Sequence, residues 1–449
     1  MFLKRVKVDD FRVLKNVDLT FEPDFEPSIF PLGSLNGGGK STLLQLIFTL
    51  LHCSFDETKH EYLINMLSPV VENKSGDFSL AQFEILHNTK NFSLNFMIVD
   101  HEYDGLNLDF FSNRVAQLKE YWNSLKFFST KLKNSTSLYI GDELYFAFNE
   151  LIKQIGKNAL LDTYEVDRLL AYQRPTTPEC FSIASKLLTQ IDRKFPKLAD
   201  LSDESIECIS NELHNRDVIY LTHLSSKKVL LCKTTENFNF LVDMSFQIYL
   251  AAPSTQVFLF FSTFAKTTLF KAGEHPYSKY VSGIKQELST LFTYDFAPVE
   301  TIIDAFKRAR DKDFAIALKS GSYGDNFQKL KTDLQSFLLN KSITASDDLS
   351  RIIFKLQDND EELRPEDLSH GELKKLGIYV WLKYQEIENA LVLMDEIEIG
   401  LHPDWQYEIA NELQKWSHGN QFILATHSYE LCQALTPSHV KELSPKLIK

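Results

Sequence analysis

The chain reads as an α/β fold in which apolar strands lead into helices through short polar turns, and three stretches predict it. Ile29, Phe30 and Leu32 form a short apolar run, Ser34-Leu35-Asn36-Gly37-Gly38-Gly39-Lys40-Ser41-Thr42 follows as a glycine-rich turn, and a leucine-rich stretch continues to Cys53. Leu391-Val392-Leu393-Met394-Asp395-Glu396 is an apolar strand ending in two carboxylates. Phe422-Ile423-Leu424-Ala425-Thr426-His427-Ser428 is a second apolar strand, with a histidine where the chain leaves it. In parallel α/β sheets ligands collect beyond the carboxyl ends of the strands, so all three stretches place chemistry at one edge.

Glycines in the first stretch allow backbone N–H groups to turn inward around a polyphosphate, and the following helix adds its positive end. Lys40 is placed to reach the β- and γ-phosphates, and the Ser41 hydroxyl to meet Mg²⁺. The pattern departs from the strict motif at Ser34, which stands where a glycine is expected, although Gly33 is adjacent. Pro31 lies in the strand itself, where it removes a ladder hydrogen bond.

A buried strand ending in two acids is unstable unless cations or hydrogen bonds compensate them. Asp395 is therefore expected to support Mg²⁺, and Glu396 to orient or deprotonate an attacking water. Ahead of this strand stands Leu368-Ser369-His370-Gly371-Glu372. A serine N-cap with glutamate three residues on is a capping box and accounts for Ser369 by itself. The same serine would also present its hydroxyl and a helix N-terminus to an anion.

Around these stretches the rest is read more coarsely. Val6 and Val8, then Val17, Leu19 and Phe21, alternate as strands, and Phe83 to Ile98 suggests a hairpin about His87-Asn88-Thr89-Lys90. Asp56 to Asp77 reads as loop with a short helix. Val115, Leu118, Trp122, Leu125 and Phe128 share a helical face, as do Ile183, Leu187, Leu188 and Ile191. Strands return at 229–232, 238–241 and 246–250, and 278–341 is mostly helical. The predicted division is 1–109 with 223–259 as a first lobe carrying the glycine-rich turn, 110–222 as a helical insertion, 260–365 as a helical lobe, and 366–449 as a second lobe carrying the acidic pair and the histidine.

At 449 residues with 44% hydrophobic and 24% charged side chains, the chain has the composition of a globular protein with ample core. The net charge of −13 argues against a uniformly basic nucleic-acid binder. No apolar run reaches membrane-spanning length and the start lacks a signal-peptide pattern, so a cytoplasmic protein is expected. Five scattered cysteines without a CxxC pair fit reduced thiols and no zinc site.

In order, the glycine-rich loop at 34–42, LSHGE at 368–372, LVLMDE at 391–396 and ATHS at 425–428 resemble the nucleotide-binding head of ABC-type ATPases. The resemblance implies an α/β ABC-type P-loop head, a mixed sheet plus antiparallel strands, with a helical insertion and a helical lobe. The opening, Phe2 to Asn16, resembles the branch that holds SMC, RecF and OLD-like ATPases, and DEIEIGLHP at 395–403 is similar to the D-loop region of OLD-like and defence-associated members. That family implies a dimer with two ATPs sandwiched between the phosphate loop of one subunit and the signature serine of the other. Carried onto this chain, Asn36, Gly37, Gly38, Gly39, Lys40, Ser41 and Thr42 hold phosphate, and Ser369 and Gly371 meet the γ-phosphate in trans. Ser41 and Asp395 serve Mg²⁺, Glu396 is the base and His427 the switch histidine. Gln256 fits the Mg²⁺-facing Q-loop glutamine better than Gln247, which lies within a strand pattern. Arg12 is expected either to reach the nucleotide or to form a surface salt bridge.

Three classes then compete. A transporter subunit fits poorly with the insertion and the D-loop. A RecF-like or break-repair-type ATPase would act on DNA through local basic patches such as Lys307-Arg308-Ala309-Arg310 or Lys266 to Lys271. SMC and break-repair heads carry very long coils for which this chain has no room. The favoured expectation is the ATPase of a Septu-type anti-phage system, a pairing that some retrons share. Its partner is a separately encoded HNH nuclease, and nucleic acid is met through the complex. No nuclease domain is expected in this chain, which ends 22 residues after His427. Ser34 and His370, which replaces a signature glycine, imply slow or triggered hydrolysis.

Overall fold

The computed structural model describes residues 1–34, 37–71, 74–103, 106–107, 113–133, 146–148, 151, 176–194, 213–225, 227–261, 266, 277–294 and 298–443. Two compact units divide the chain, one formed by Met1–Asp100 with Leu221–Lys449 and the other by His101–Tyr220.

The first unit is built on two six-stranded sheets. One runs in the order Leu291–Thr293, Ile248–Ala252, Leu391–Asp395, Gln421–Ala425, Ile29–Gly33, Lys441–Glu442, and every adjacent pair is parallel. Its central strands are buried along their whole length, which is why they read as continuous apolar runs rather than as alternation. The other sheet runs Leu14–Thr20, Phe2–Phe11, Phe78–His87, Lys90–Asp100, Lys228–Lys233, Val218–His223. Its first five strands pair antiparallel. The buried Gln421 side chain ties the sheets together, accepting from the Leu3 N–H at 2.7 Å and donating to the Leu3 carbonyl at 2.9 Å.

Pro31 is tolerated because of where its missing donor points. The Ser28 and Leu32 carbonyls accept from Phe422 and Thr426, whereas the Gly33 carbonyl accepts from Leu443. Alternation therefore turns Pro31 toward the two-residue strand Lys441–Glu442, whose pairing begins at Leu32. No ladder bond is lost there.

A core of Trp381, Phe292, Ile397, Ile409 and Leu413 lies between the parallel sheet and the helices His370–Tyr384 and Pro403–Trp416. Phe292 and Trp381 stack at 4.9 Å. A second core, around Phe306, Leu330, Phe354 and Tyr379, joins the helices Pro298–Ser320 and Asn326–Gln335 to His370–Tyr384. It also contains the three-stranded antiparallel sheet Lys341–Ala345, Ile352–Leu356, Glu362–Leu363, which the sequence reading missed.

Two local expectations are corrected. Phe238–Leu241 is not a strand but the start of the helix Phe238–Ser245, because the Asn237 side chain accepts from the Asn239 N–H and caps it. The polar stretch after Asp56 holds a full helix, His60–Val71, whose buried Tyr62, Leu63, Met66 and Leu67 give it a core face. In the second unit the helices Asn113–Lys133 and Thr177–Lys194 pack together, burying Leu125, Phe128, Cys180, Ala184 and Leu187.

Candidate nucleotide site

Register brings the three predicted stretches to one place. Asp395 lies opposite Ala425, and Ala425 opposite Leu32, so the phosphate loop, the acidic pair and His427 all leave the parallel sheet at the same edge. Gly37 and Gly39 take φ of 78° and 90°, conformations that L side chains rarely adopt. A Cβ on Gly39 would also lie 2.6 Å from Leu14 Cδ2, so the loop is pressed against the turn between the first two strands. Gly39 caps the helix Lys40–Cys53, whose first turn carries Ser41 and Thr42 and no acid. Asn36 lies outside the described residues.

Lys40 is buried, and its Nζ donates to the Ser34 carbonyl at 3.3 Å and the Ser34 hydroxyl at 3.1 Å. The residue that breaks the glycine pattern is thus a resting partner for the lysine. Nζ also lies 3.0 Å from His427 Nε2. Burial lowers the Lys40 pKa, opposed by the carboxylates of Glu398, Asp395 and Glu396.

The Ser41 hydroxyl donates to Asp395 Oδ1 at 3.0 Å, while Asp395 Oδ2 is buried without a hydrogen-bond partner among the described residues. Burial pushes the Asp395 carboxyl up to about 7; the Ser41 bond opposes this, and Glu396 and Glu398 add to it. An orphaned carboxylate oxygen beside a serine hydroxyl suits a hard divalent cation that takes its other ligands from phosphate and water. Among the described residues no cluster of three or more His, Cys, Asp or Glu side chains could hold a metal by itself. These two residues fit Mg²⁺ only together with a nucleotide.

Glu396 is half-buried and follows Asp395 with φ of 51°, in the left-handed region. Two bonds hold it there: its N–H donates to the Ala425 carbonyl at 2.9 Å, and its carbonyl accepts from Lys374 Nζ at 2.8 Å. The Lys374 ammonium also donates to the Ile399 carbonyl at 3.1 Å and lies 4.1 Å from the Tyr294 ring centre. Sequence reasoning passed over Lys374, because a lysine on a helix reads as solvated.

Ser369 forms the capping box that its spacing allows: its hydroxyl accepts from the Glu372 N–H at 3.2 Å, and its own N–H donates to Glu372 Oε2 at 2.9 Å. Lys341 grips the same carboxylate at 2.7 and 2.9 Å. Gly371 is required by a close approach within the subunit. A Cβ there would meet the Gly400 carbonyl at 2.5 Å, so the signature turn packs against the loop that follows Asp395.

Gln256 sits in the 3-10 segment Ser254–Phe260, just past the end of strand Ile248–Ala252, and its carbonyl accepts from Gln45 Nε2 at 3.1 Å. Gln247 precedes that strand, at the opposite edge of the sheet. Arg12 occupies the turn against which Gly39 is pressed, with φ of 51°. Its guanidinium donates to the Met66 carbonyl at 3.0 Å rather than to a surface carboxylate. Burial lowers its pKa.

The family described as "AAA domain, putative AbiEii toxin, Type IV TA system" matches residues 269–433, fewer than half of the chain. The "Retron Ec83 probable ATPase" of Escherichia coli is 40% identical over 51 residues, 11% of this chain and 9% of that protein. The "Retron Vc95 probable ATPase" of Vibrio cholerae serotype O1 biovar El Tor is 41% identical over 52 residues, 12% of this chain and 10% of that protein. The match thus spans about a tenth of the length of these relatives. Among solved structures, the Smc head domain of Pyrococcus furiosus bound to the C-terminal domain of ScpA aligns over 97% of this chain and 92% of its own, at 12% identity and a TM-score of 0.32. RecF, described as a recombination mediator protein, aligns over 96% of this chain and 94% of its own, at 14% identity and a TM-score of 0.27. At such scores the fold rests on strand order and loop geometry instead. On those grounds the first unit is an α/β fold with a glycine-rich loop opening a helix at the edge of a parallel sheet, consistent with an ABC-type P-loop head, with its antiparallel strands in a sheet of their own.

Proposed function

We propose that this chain binds ATP with Mg²⁺ and hydrolyses it, as the regulatory subunit of an anti-phage defence complex that gates a separately encoded HNH nuclease. The convergence of Lys40, Ser41, Asp395 and His427 at one edge of the parallel sheet carries the nucleotide half of this reading. Mg²⁺, held through Ser41 and Asp395 when nucleotide is bound, would offset phosphate charge. Lys40 exchanges its Ser34 and His427 contacts for phosphate oxygens, Glu396 accepts a proton from the attacking water, and His427 is released to face the γ-phosphate. Gln256, Arg12 and the rest of the loop from Asn36 to Thr42 line the same nucleotide. Ser369 and Gly371 serve the nucleotide of a second subunit, which makes the active form a homodimer or a higher oligomer.

Short similarity to retron probable ATPases and the defence-type D-loop sequence support a defence-associated ATPase, and the nuclease partner is what the resemblance of the motifs implies. Of the two basic patches, Lys266 to Lys271 lies outside the described residues apart from Lys266, and the RecF-like alternative draws no support from Lys307-Arg308-Ala309-Arg310. There Lys307 pairs with Asp304 at 3.6 Å, Arg310 with Asp311 at 2.8 Å, and Ala309 is buried. No helix among the described residues is long and apolar enough to cross a membrane. The test is native mass spectrometry of the tagged protein purified from its host with neighbouring genes intact, followed by E396Q with ATP. A fixed-stoichiometry complex with a nuclease and an ATP-trapped E396Q dimer are expected. A bare chain that binds no ATP would overturn both halves.

A further inference from the structure

Glu398 lies within the 395–403 stretch, where the resemblance assigns it no role, yet its carboxylate lies inside the site. It is 7% exposed, and Oε1 accepts the His427 backbone N–H at 2.6 Å. Its Oε2 is buried with no hydrogen-bond partner among the described residues. A buried carboxylate is costly, and an apolar side chain of similar size would fit a buried loop at lower cost. What the acid adds is an acceptor for one particular amide.

That amide lies in the short stretch between two anchored points. Upstream, the Ala425 carbonyl accepts from the Glu396 N–H at 2.9 Å. Downstream, Ser428 caps the helix Tyr429–Gln433, its hydroxyl accepting from the Leu431 N–H at 2.9 Å. Among the described residues the loop after Asp395 meets this stretch through two bonds, the Glu396 N–H donating at Ala425 and Glu398 Oε1 accepting at His427, within two residues of each other. The same loop carries Ile399, 57% exposed, and touches the signature turn at Gly371.

We propose that Glu398 is a positioning residue for His427: it fixes the histidine backbone to the loop after Asp395, so that whatever displaces that loop also displaces His427. The catalytic consequence rests on the ATPase reading above; the positioning does not. Hydrogen–deuterium exchange of the nucleotide-free full chain tests it, comparing E398A and E398Q with the parent and paired with single-turnover ATP hydrolysis. E398A should exchange the His427 amide about tenfold faster or more, as expected for loss of a bond to a charged acceptor. E398Q, whose amide oxygen can accept the same N–H, should lie much nearer the parent. Unchanged exchange in the Pro298–Ser320 helix separates this local effect from unfolding. Hydrolysis should fall about tenfold in E398A with nucleotide affinity held within about threefold, and E398Q should recover most of the loss. The proposal is overturned if E398A exchanges at the parental rate, or if E398Q exchanges as fast as E398A. If the exchange pattern holds but the parent turns over no ATP, the positioning stands and the ATPase reading alone falls.

Discussion

Lys40 and His427, 387 residues apart in sequence, meet with 3.0 Å between Nζ and Nε2. An ammonium only donates, so Nε2 accepts and the imidazole proton sits on Nδ1. The lysine therefore rests on neutral acceptors, which phosphate oxygens can displace.

K40M should lower MgATP affinity about a hundredfold or more, since it removes charge-assisted bonds to phosphate. H427A should leave affinity within a fewfold and slow hydrolysis instead. Titration with a fluorescent ATP analogue separates the two, and equal losses in both variants would contradict these roles.

The Asp395 carboxyl sets a pH dependence of known sign. Its ordinary value is 3.8, and burial raises it to about 7 in the folded chain. Between those values the folded protein keeps a proton that the unfolded chain has released. This contribution to stability therefore declines as pH rises from about 4 to about 7 and is flat above. D395N lacks the slope, so its thermal midpoint relative to the parent should rise between pH 5 and pH 8. MgATP should stabilise the parent most at the upper end, where the carboxylate is charged.

Lys341 is the cation that makes the buried Glu372 tolerable. Burial alone would raise the Glu372 pKa; bonds from Lys341 and Ser369 outweigh it and hold the carboxyl below its ordinary range. K341M should cost about 3 kcal/mol by leaving that charge unpaired. The double variant K341M/E372Q should recover part of the loss, which denaturant unfolding would measure as a coupling energy.

Lys374 holds Glu396 in a left-handed backbone conformation that costs about 1–2 kcal/mol in an L residue. K374M keeps the side-chain stem and removes the donors. Hydrolysis should fall about tenfold while MgATP affinity changes little, because the base moves and the phosphate loop does not. Unchanged single-turnover rates would show that the strand end holds Glu396 without help.

Much of this was readable in the chain. Three glycines before a Lys-Ser pair, and two apolar strands ending in Asp-Glu and near a histidine, marked the residues that the structure brings together at one edge of the parallel sheet. Phe238-Asn239-Phe240-Leu241 was misread because its apolar spacing suits a strand as well as a helix, and the Asn237 cap decides between them. The Lys341–Leu363 sheet was missed because its strands are short and only one residue of Lys341–Ala345 is buried. Glu398 fell within the 395–403 resemblance without a role of its own, and Lys374 gave no signal, since a lysine on a helix reads as solvated.

By itself the sequence determined which positions could carry this chemistry, because positive φ, a mobile cation and a strand-terminal carboxylate each need particular side chains. Tertiary structure alone decided which of them meet. Ser41 finds Asp395 across 354 residues, and the His427 N–H finds Glu398 in the loop after Asp395. The physical reason is register. Central parallel strands buried on both faces carry no alternation that could set their alignment locally, so only packing of the whole sheet against its helices brings Leu32, Asp395 and Ala425 level at one edge.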